Sequence, residues 1–215
     1  MKINVFYKGL FKSTLFILVV LVSCNSGNQK NKTALPTIIR KKDKPVSKSD
    51  TTLRSAPIIN ISDTVSLPMM VLSVKDSAYN NIRLGEKLAK IYGEKIQNCI
   101  ASNHLKVMGP PMAWYKTQKA PFFFEAAIPV SKKPNKLAKG INFKKIPPTR
   151  IIVAHYYGPY DETVQAYQFL KEWLKDNKKT LVSPPYEVYV DDPIDENGKP
   201  IDPYKVQTDI IFPYR

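Results

Sequence analysis

The feature that most constrains this chain is an internal repeat that fills its C-terminal two-thirds. The first copy opens with Met70-Val71-Leu72-Ser73-Val74, which reads as a strand. It passes through Asp76-Ser77-Ala78-Tyr79-Asn80-Asn81 into a helix with Leu84, Leu88, Ile91, Tyr92 and Cys99 on one face. Residues 107–115 and 122–129 then read as two strands. The second copy repeats the order: Ile151-Ile152-Val153-Ala154-His155 as a strand and the turn Gly158-Pro159-Tyr160. A helix striped by Val164, Tyr167, Leu170 and Leu174 follows, with Asp161 and Glu162 suited to its N-terminus, and then strands at 184–189 and 207–213. Tyr79 matches Tyr160, Pro110-Pro111 matches Pro184-Pro185, Tyr115 matches Tyr189, and residues 125–129 match 209–213. Each unit alone would leave a small sheet with an open edge. The pattern therefore predicts an α+β fold in which two strand-helix-strand-strand modules share a curved, mainly antiparallel sheet. Both helices lie on one face, and the opposite face forms a groove at the pseudo-twofold axis.

One strand of that repeat carries an unusual charge. In Tyr186-Glu187-Val188-Tyr189, alternation places Glu187 and Tyr189 on one face and Tyr186 and Val188 on the other. A carboxylate among aromatic rings is costly unless it has a partner, which makes Glu187 a candidate for holding a cation or handling a proton. The first copy has Ala113 at the matching position, so the acid is present on one side only.

The motifs together resemble the GyrI-like small-molecule-binding domain, also called the bacterial transcription-activator effector-binding domain. The resemblance runs from about residue 66 to the C-terminus. It rests on Gly109-Pro110-Pro111 with Tyr115, on Phe124-Glu125 through Pro129-Val130, and on Tyr157-Gly158-Pro159-Tyr160. Tyr186-Glu187-Val188-Tyr189 with Asp192-Pro193, and Thr208-Asp209-Ile210 through Pro213, complete it. It implies a duplicated module with a ligand groove at the pseudo-twofold, where a buried Glu meets cationic, often aromatic ligands. Carried over, Glu187 is the anchor, and Tyr115, Tyr160 and Trp114 are candidate walls, with Tyr189, Glu125 and Phe123 beside them. Trp114 and Tyr115 have opposite strand parity, so unless the Pro-Pro turn distorts the strand, one of the two belongs to the core. For Glu125 a groove role and a salt bridge to a neighbouring lysine stand even. Some members of the superfamily hydrolyse strained electrophiles in the same groove. In that reading Glu187 activates water and Tyr160 donates a proton.

The N-terminus reads as an address. Lys2, Lys8 and Lys12 precede an apolar run at 15–22 that is short for a membrane span. The run ends in Leu21-Val22-Ser23-Cys24, which resembles the lipobox of bacterial lipoproteins. That resemblance implies cleavage before Cys24, lipidation of its thiol and stable anchoring by more than one acyl chain. The competing readings are an uncleaved signal anchor and an export signal with an incidental Cys. Charge, run and box in register favour the lipoprotein. The expected organisation is a signal peptide at 1–23, a flexible lipidated tether at 24–60 and a GyrI-like domain at 61–215. The tether follows from a Lys-, Asn-, Ser- and Thr-rich composition that cannot bury enough apolar surface to order itself; Ile58-Ile59 could still add an edge strand. The expected location is the cell envelope, on the outer membrane and facing the periplasm.

The remaining chemistry is sparse. The formal charge of +15 divides into +3 over residues 1–23, +6 over 24–60 and +6 over the rest, so most of the excess lies outside the folding region. No nucleic-acid-reading motif accompanies it, and no nucleic-acid partner is expected. The histidines His104 and His155 lack metal-ligand spacing, and no phosphate loop or nucleophile elbow occurs. Neither a metal nor a cofactor is expected, and His155 reads as a satisfied sheet histidine. With Cys24 lipidated, Cys99 has no disulfide partner and reads as a small buried apolar residue. The leading reading is an envelope-facing, lipid-anchored protein that binds a small amphipathic molecule in the groove between the two repeats, a cationic aromatic one being what the resemblance implies. A hydrolase on the same groove is the alternative, and a structural or protein-interaction lipoprotein with a vestigial pocket is a third reading.

Overall fold

The strand pairings reproduce the duplication residue by residue. In a computed structural model, which describes residues 56–215, eight strands run in chain order. They are β1 (Ile58–Val65), β2 (Met69–Ala78), β3 (Met112–Tyr115), β4 (Phe122–Pro129), β5 (Asn142–Ile146), β6 (Arg150–Tyr157), β7 (Tyr186–Tyr189) and β8 (Gln207–Pro213). They form one sheet in the order β1-β6-β8-β7-β3-β4-β2-β5, with every pairing antiparallel. Val71 faces Pro129 in the first copy as Ile151 faces Pro213 in the second. Met112 faces Ala127 as Tyr186 faces Ile211. The copies meet through β3 and β7, where Ala113 faces Glu187. The pseudo-twofold passes between these two residues.

The outer strands are exchanged. β1 precedes the first copy but pairs with β6 of the second, and β5 precedes the second but pairs with β2 of the first. Each leading strand thus covers the edge that the other copy would leave open, and the exchange ties the modules together. β1 begins at Ile58, so the sheet takes in three residues, 58–60, that the composition assigned to the tether. Residues 1–55, with the expected signal peptide, Cys24 and most of the tether, lie outside the described residues.

Helices cover one face. In the first copy α1 (Asn81–Lys90), a π-helical turn (Ile91–Lys95) and α2 (Ile96–Ser102) follow without a break. Asn80 starts this run by accepting a hydrogen bond from the Arg83 N–H at 2.8 Å. In the second copy a 3-10 turn (Tyr160–Glu162) leads into α3 (Val164–Asp176). Each helical run packs on its own half of the sheet: Ile96, Cys99 and Ile100 against Leu72, Phe124 and Ile128, and Tyr167, Leu170 and Leu174 against Ile152, Ile210 and Phe212. The other face has its own apolar cluster, including Val71, Met112, Ile151, Val153, Tyr186 and Ile211. Among the described residues no helix is long and apolar enough to cross a membrane.

One expected strand needs correction, and one strand was not expected. The strand read at 107–115 shrinks to Met112–Tyr115, with Val107 making only an isolated bridge to Val130. Pro110 and Pro111 have no N–H to give to a ladder. β5 had no counterpart in the sequence reading, because its Asn-Phe-Lys-Lys-Ile lacks the apolar alternation of an inner strand.

The turn that delivers Tyr160 depends on one glycine. A Cβ on Gly158 would lie 2.6 Å from the Tyr156 hydroxyl oxygen and 3.0 Å from Pro57 Cβ. That hydroxyl is fixed by donating to the Pro159 carbonyl at 2.8 Å. Gly158→Ala is therefore expected to destabilise the domain by about 1–3 kcal/mol in urea denaturation. An unchanged midpoint would show that the contact yields freely.

Candidate functional site

Strand parity decides which candidate residues meet. Tyr186 and Val188 pack into the apolar cluster with Trp114, which turns Glu187 and Tyr189 to the helix-covered face. The candidate site at the pseudo-twofold therefore lies on the helix-covered face, and not on the face away from the helices as the repeat suggested. The reason is packing: the bulky apolar members of β3 and β7 fill the other face, and each helix covers only its own copy.

Glu187 sits at the centre of this cluster and is 6% exposed. Its Oε1 accepts a hydrogen bond from the Tyr167 hydroxyl at 3.0 Å, and its Oε2 accepts one from Tyr189 at 3.1 Å. The Tyr189 oxygen is 2.6 Å from that of Tyr115. With Tyr189 donating to the carboxylate, Tyr115 donates to Tyr189, which gives a short relay from Tyr115 to Glu187. Tyr92, from the π-helical turn, donates to the Met112 carbonyl at 2.9 Å and stands edge-on to Tyr189 with ring centroids 6.2 Å apart. Tyr160 stands edge-on to Tyr189 from the other side at 6.0 Å and is 43% exposed, so it forms the rim.

The electrostatics are one-sided. Burial drives the Glu187 carboxyl up to about 7, against the two phenol hydrogen bonds that favour its charged form. No basic side chain pairs with it among the described residues. Burial raises the phenols of Tyr92, Tyr115, Tyr167 and Tyr189 as well, so all four remain donors at neutral pH. Tyr160 is pushed up to about 12 by burial, opposed by the neighbouring Thr208 hydroxyl. These two groups fall outside hydrogen-bond geometry, and Thr208 Oγ1, buried on β8 opposite Tyr189, has no partner among the described residues. The cluster thus holds a lone buried carboxylate, several aromatic rings and a spare hydroxyl. Among the described residues no cluster of three or more His, Cys, Asp or Glu is placed to hold a metal ion.

The structure brings together Glu187, Tyr189, Tyr115 and Tyr160. It places Trp114, Glu125 and Phe123 elsewhere. Trp114 lies on the opposite face against Tyr186, with the Lys144 ammonium 5.2 Å from its ring centroid. Glu125 shares that face, accepting from Ser73 at 2.6 Å and pairing with Lys144 at 2.6 Å. Burial alone would raise its pKa, but Lys144 and Ser73 hold it below the usual carboxylate range. Phe123 is 48% exposed on the same strand parity as Glu125. The symmetry mate of Tyr160 also diverges, since Tyr79 is 68% exposed and accepts from Arg83 Nε at 3.2 Å. Tyr92 and Tyr167 join the cluster around Glu187, whereas the sequence reading assigned them to helix cores. Their signal was the hydroxyl, because a tyrosine on a core-facing helix position needs a polar partner.

The profile of the GyrI-like small-molecule-binding domain matches residues 69–215. The chain belongs to the GyrI-like family. The C-terminal domain of EcmrR is 21% identical to it with a TM-score of 0.63, over 74% of this chain and 98% of that one. EcmrR solved as a complex with DNA matches at 21% identity and a TM-score of 0.62, over 73% of this chain, which spans 57% of that longer protein. A hydrolase from Listeria innocua matches at 10% identity and a TM-score of 0.50, over 72% of this chain and 91% of that one. A comparison with curated proteins finds no match. At these identities the structural likenesses establish the fold. The family match makes this a small-molecule-binding GyrI-like domain.

The raised carboxyl has a thermodynamic consequence. Below about pH 4.5 Glu187 is protonated in both folded and unfolded chains, whereas between about 4.5 and 7 only the unfolded chain releases the proton. Stability is therefore lost as pH rises through that window. Relative to Glu187→Gln, wild type is expected to lose about 3 kcal/mol of unfolding free energy between about pH 4 and pH 8. Urea denaturation of both proteins across pH measures this, and a flat difference contradicts the buried-carboxyl geometry.

Proposed function

We propose that the protein is a lipid-anchored, envelope-facing receptor for small amphipathic cations. The observation that carries this reading is the buried Glu187 carboxylate, hydrogen-bonded but without a positive partner among the described residues. An ammonium entering the groove would meet a charge that is scarcely screened. The faces of Tyr160 and Tyr189 would add cation-π attraction of about 0.5–2 kcal/mol each. Entry runs past Tyr160, which stands on a short 3-10 turn beside Tyr189. The anchor at Cys24 and a location on the outer membrane, facing the periplasm, follow from the N-terminal sequence.

A second reading uses the same groove for hydrolysis of small electrophilic compounds. What favours it is a carboxyl raised to about 7, poised to take a proton from water at neutral pH, beside phenols that stay protonated. Tyr160 at the rim is the donor in that scheme.

Thermal shift of the full chain with benzyltrimethylammonium tests the binding reading. Wild type is expected to be stabilised in proportion to ligand concentration, and Glu187→Gln to lose the response. An equal response from both would remove Glu187 from the site. Turnover of an epoxide by wild type, lost in Glu187→Gln, would favour the second reading. For the anchor, Cys24→Ser is expected to release the protein from the membrane fraction; a variant that stays membrane-bound and processed contradicts lipidation at Cys24.

A further inference from the structure

The face opposite the groove carries a second constellation that small-molecule capture does not use. Three neighbouring strands, β1, β6 and β8, place Ser62, His155 and Asp209 in line on that face. Ser62 Oγ is 2.9 Å from His155 Nε2, and His155 Nδ1 is 2.7 Å from Asp209 Oδ1. The Asp209 carboxylate can only accept, so Nδ1 carries the proton and Nε2 is the acceptor facing the serine hydroxyl. Asp209 is held in turn by Gln207 Nε2 at 2.8 Å, and Gln207 by the Tyr157 hydroxyl at 2.7 Å. This is the order of contacts that activates a serine: nucleophile, base, and a carboxylate that fixes the base.

Several features distinguish the cluster from a hydrogen-bond ladder that merely satisfies a buried histidine. The His155 side chain is 31% exposed, so the base is open to solvent, while the more buried Asp209, 19% exposed, is satisfied by His155 and Gln207. Ser62 lies on an edge strand, and Asn60 and Thr64, which flank it on the same face, are exposed. Asn60 lies directly opposite His155, and its side chain makes no hydrogen bond among the described residues. Among the described residues its amide is available to donate to an oxyanion forming beside Ser62, and every second backbone N–H of β1, which points away from β6, has no partner either. The matching position to His155 in the first copy is Lys75, which pairs with Glu125 across β2 and β4 as His155 pairs with Asp209. The general-base chemistry is thus confined to one copy.

We propose that Ser62, His155 and Asp209 form a nucleophilic site for small carboxylic esters, distinct from the Glu187 groove. Ser62 Oγ attacks the carbonyl carbon while its proton passes to His155 Nε2. The tetrahedral intermediate collapses by breaking the bond to the alcohol oxygen, which takes that proton and leaves. Water then attacks the acyl-Ser62 carbonyl, gives a proton to His155 Nε2, and the carboxylic acid departs as Ser62 regains it. Ser62 and His155 are the catalytic residues, and Asp209 is a positioning residue.

The full chain in detergent, treated with a fluorophosphonate and digested for mass spectrometry, tests this. The label is expected on Ser62. Hydrolysis of p-nitrophenyl acetate is expected to fall by about a hundredfold or more in Ser62→Ala and His155→Gln. Asp209→Asn is expected to displace the pH profile of hydrolysis, which a purely structural carboxylate would leave in place. Should a variant unfold, the position of the label in wild type still decides. No label on Ser62, or hydrolysis that survives Ser62→Ala and disappears in Glu187→Gln, overturns the proposal and assigns the activity to the other face.

Discussion

The structure turns on the burial of one carboxylate at the seam of two repeats. Removing a charge from water without a counter-charge is among the most costly things a fold can do, and hydrogen bonds only partly offset it. Glu187 receives two, from Tyr167 and Tyr189, and burial still pushes its carboxyl up to about 7. Glu125, only part-buried, shows the contrast within the same molecule. It has Lys144 and Ser73, and its pKa falls below the usual range. One acid is structurally satisfied, and the other is held in a state that a cation would relieve.

The seam explains why only one copy carries the acid. Ala113 and Glu187 are direct cross-strand partners, so the symmetric arrangement would set two carboxylates face to face in a buried site. Like charges so placed repel, and Ala113 instead leaves room for the phenols. Tyr115 and Tyr189 remain symmetric and meet across the seam through their hydroxyls. Symmetry is kept where it provides the sheet and the hydrogen-bonded pair, and broken where a single charge is needed. The exchanged outer strands β1 and β5 hold the halves in register around that point.

Much of this was legible in the sequence because it depends on spacing. The matched Pro-Pro, Tyr and Glu/Asp-to-Pro landmarks located the repeat, and alternation along Tyr186-Glu187-Val188-Tyr189 paired Glu187 with Tyr189. The face of the groove was not legible, since it depends on which side of the sheet the larger apolar residues fill, and Trp114, Tyr186 and Ile211 settle that only in three dimensions. The same parity places Trp114, Glu125 and Phe123 on the face opposite Glu187. Tyr92 and Tyr167 were hidden by their helical periodicity, which marks a core face and does not report what a terminal hydroxyl meets. β5 was hidden for a different reason, as a lysine-rich edge strand gains its place from its partner β2 and not from its own pattern.

The central claim is that the groove holds a buried carboxylate whose charge is completed by a ligand cation. The most direct measurement is a carbon-13 NMR titration of the Glu187 carboxyl in the full chain, with and without benzyltrimethylammonium. The account predicts titration near 7 in the free protein and a marked fall in that midpoint when the cation binds. A carboxyl that titrates in the ordinary glutamate range and does not respond to the cation would contradict it.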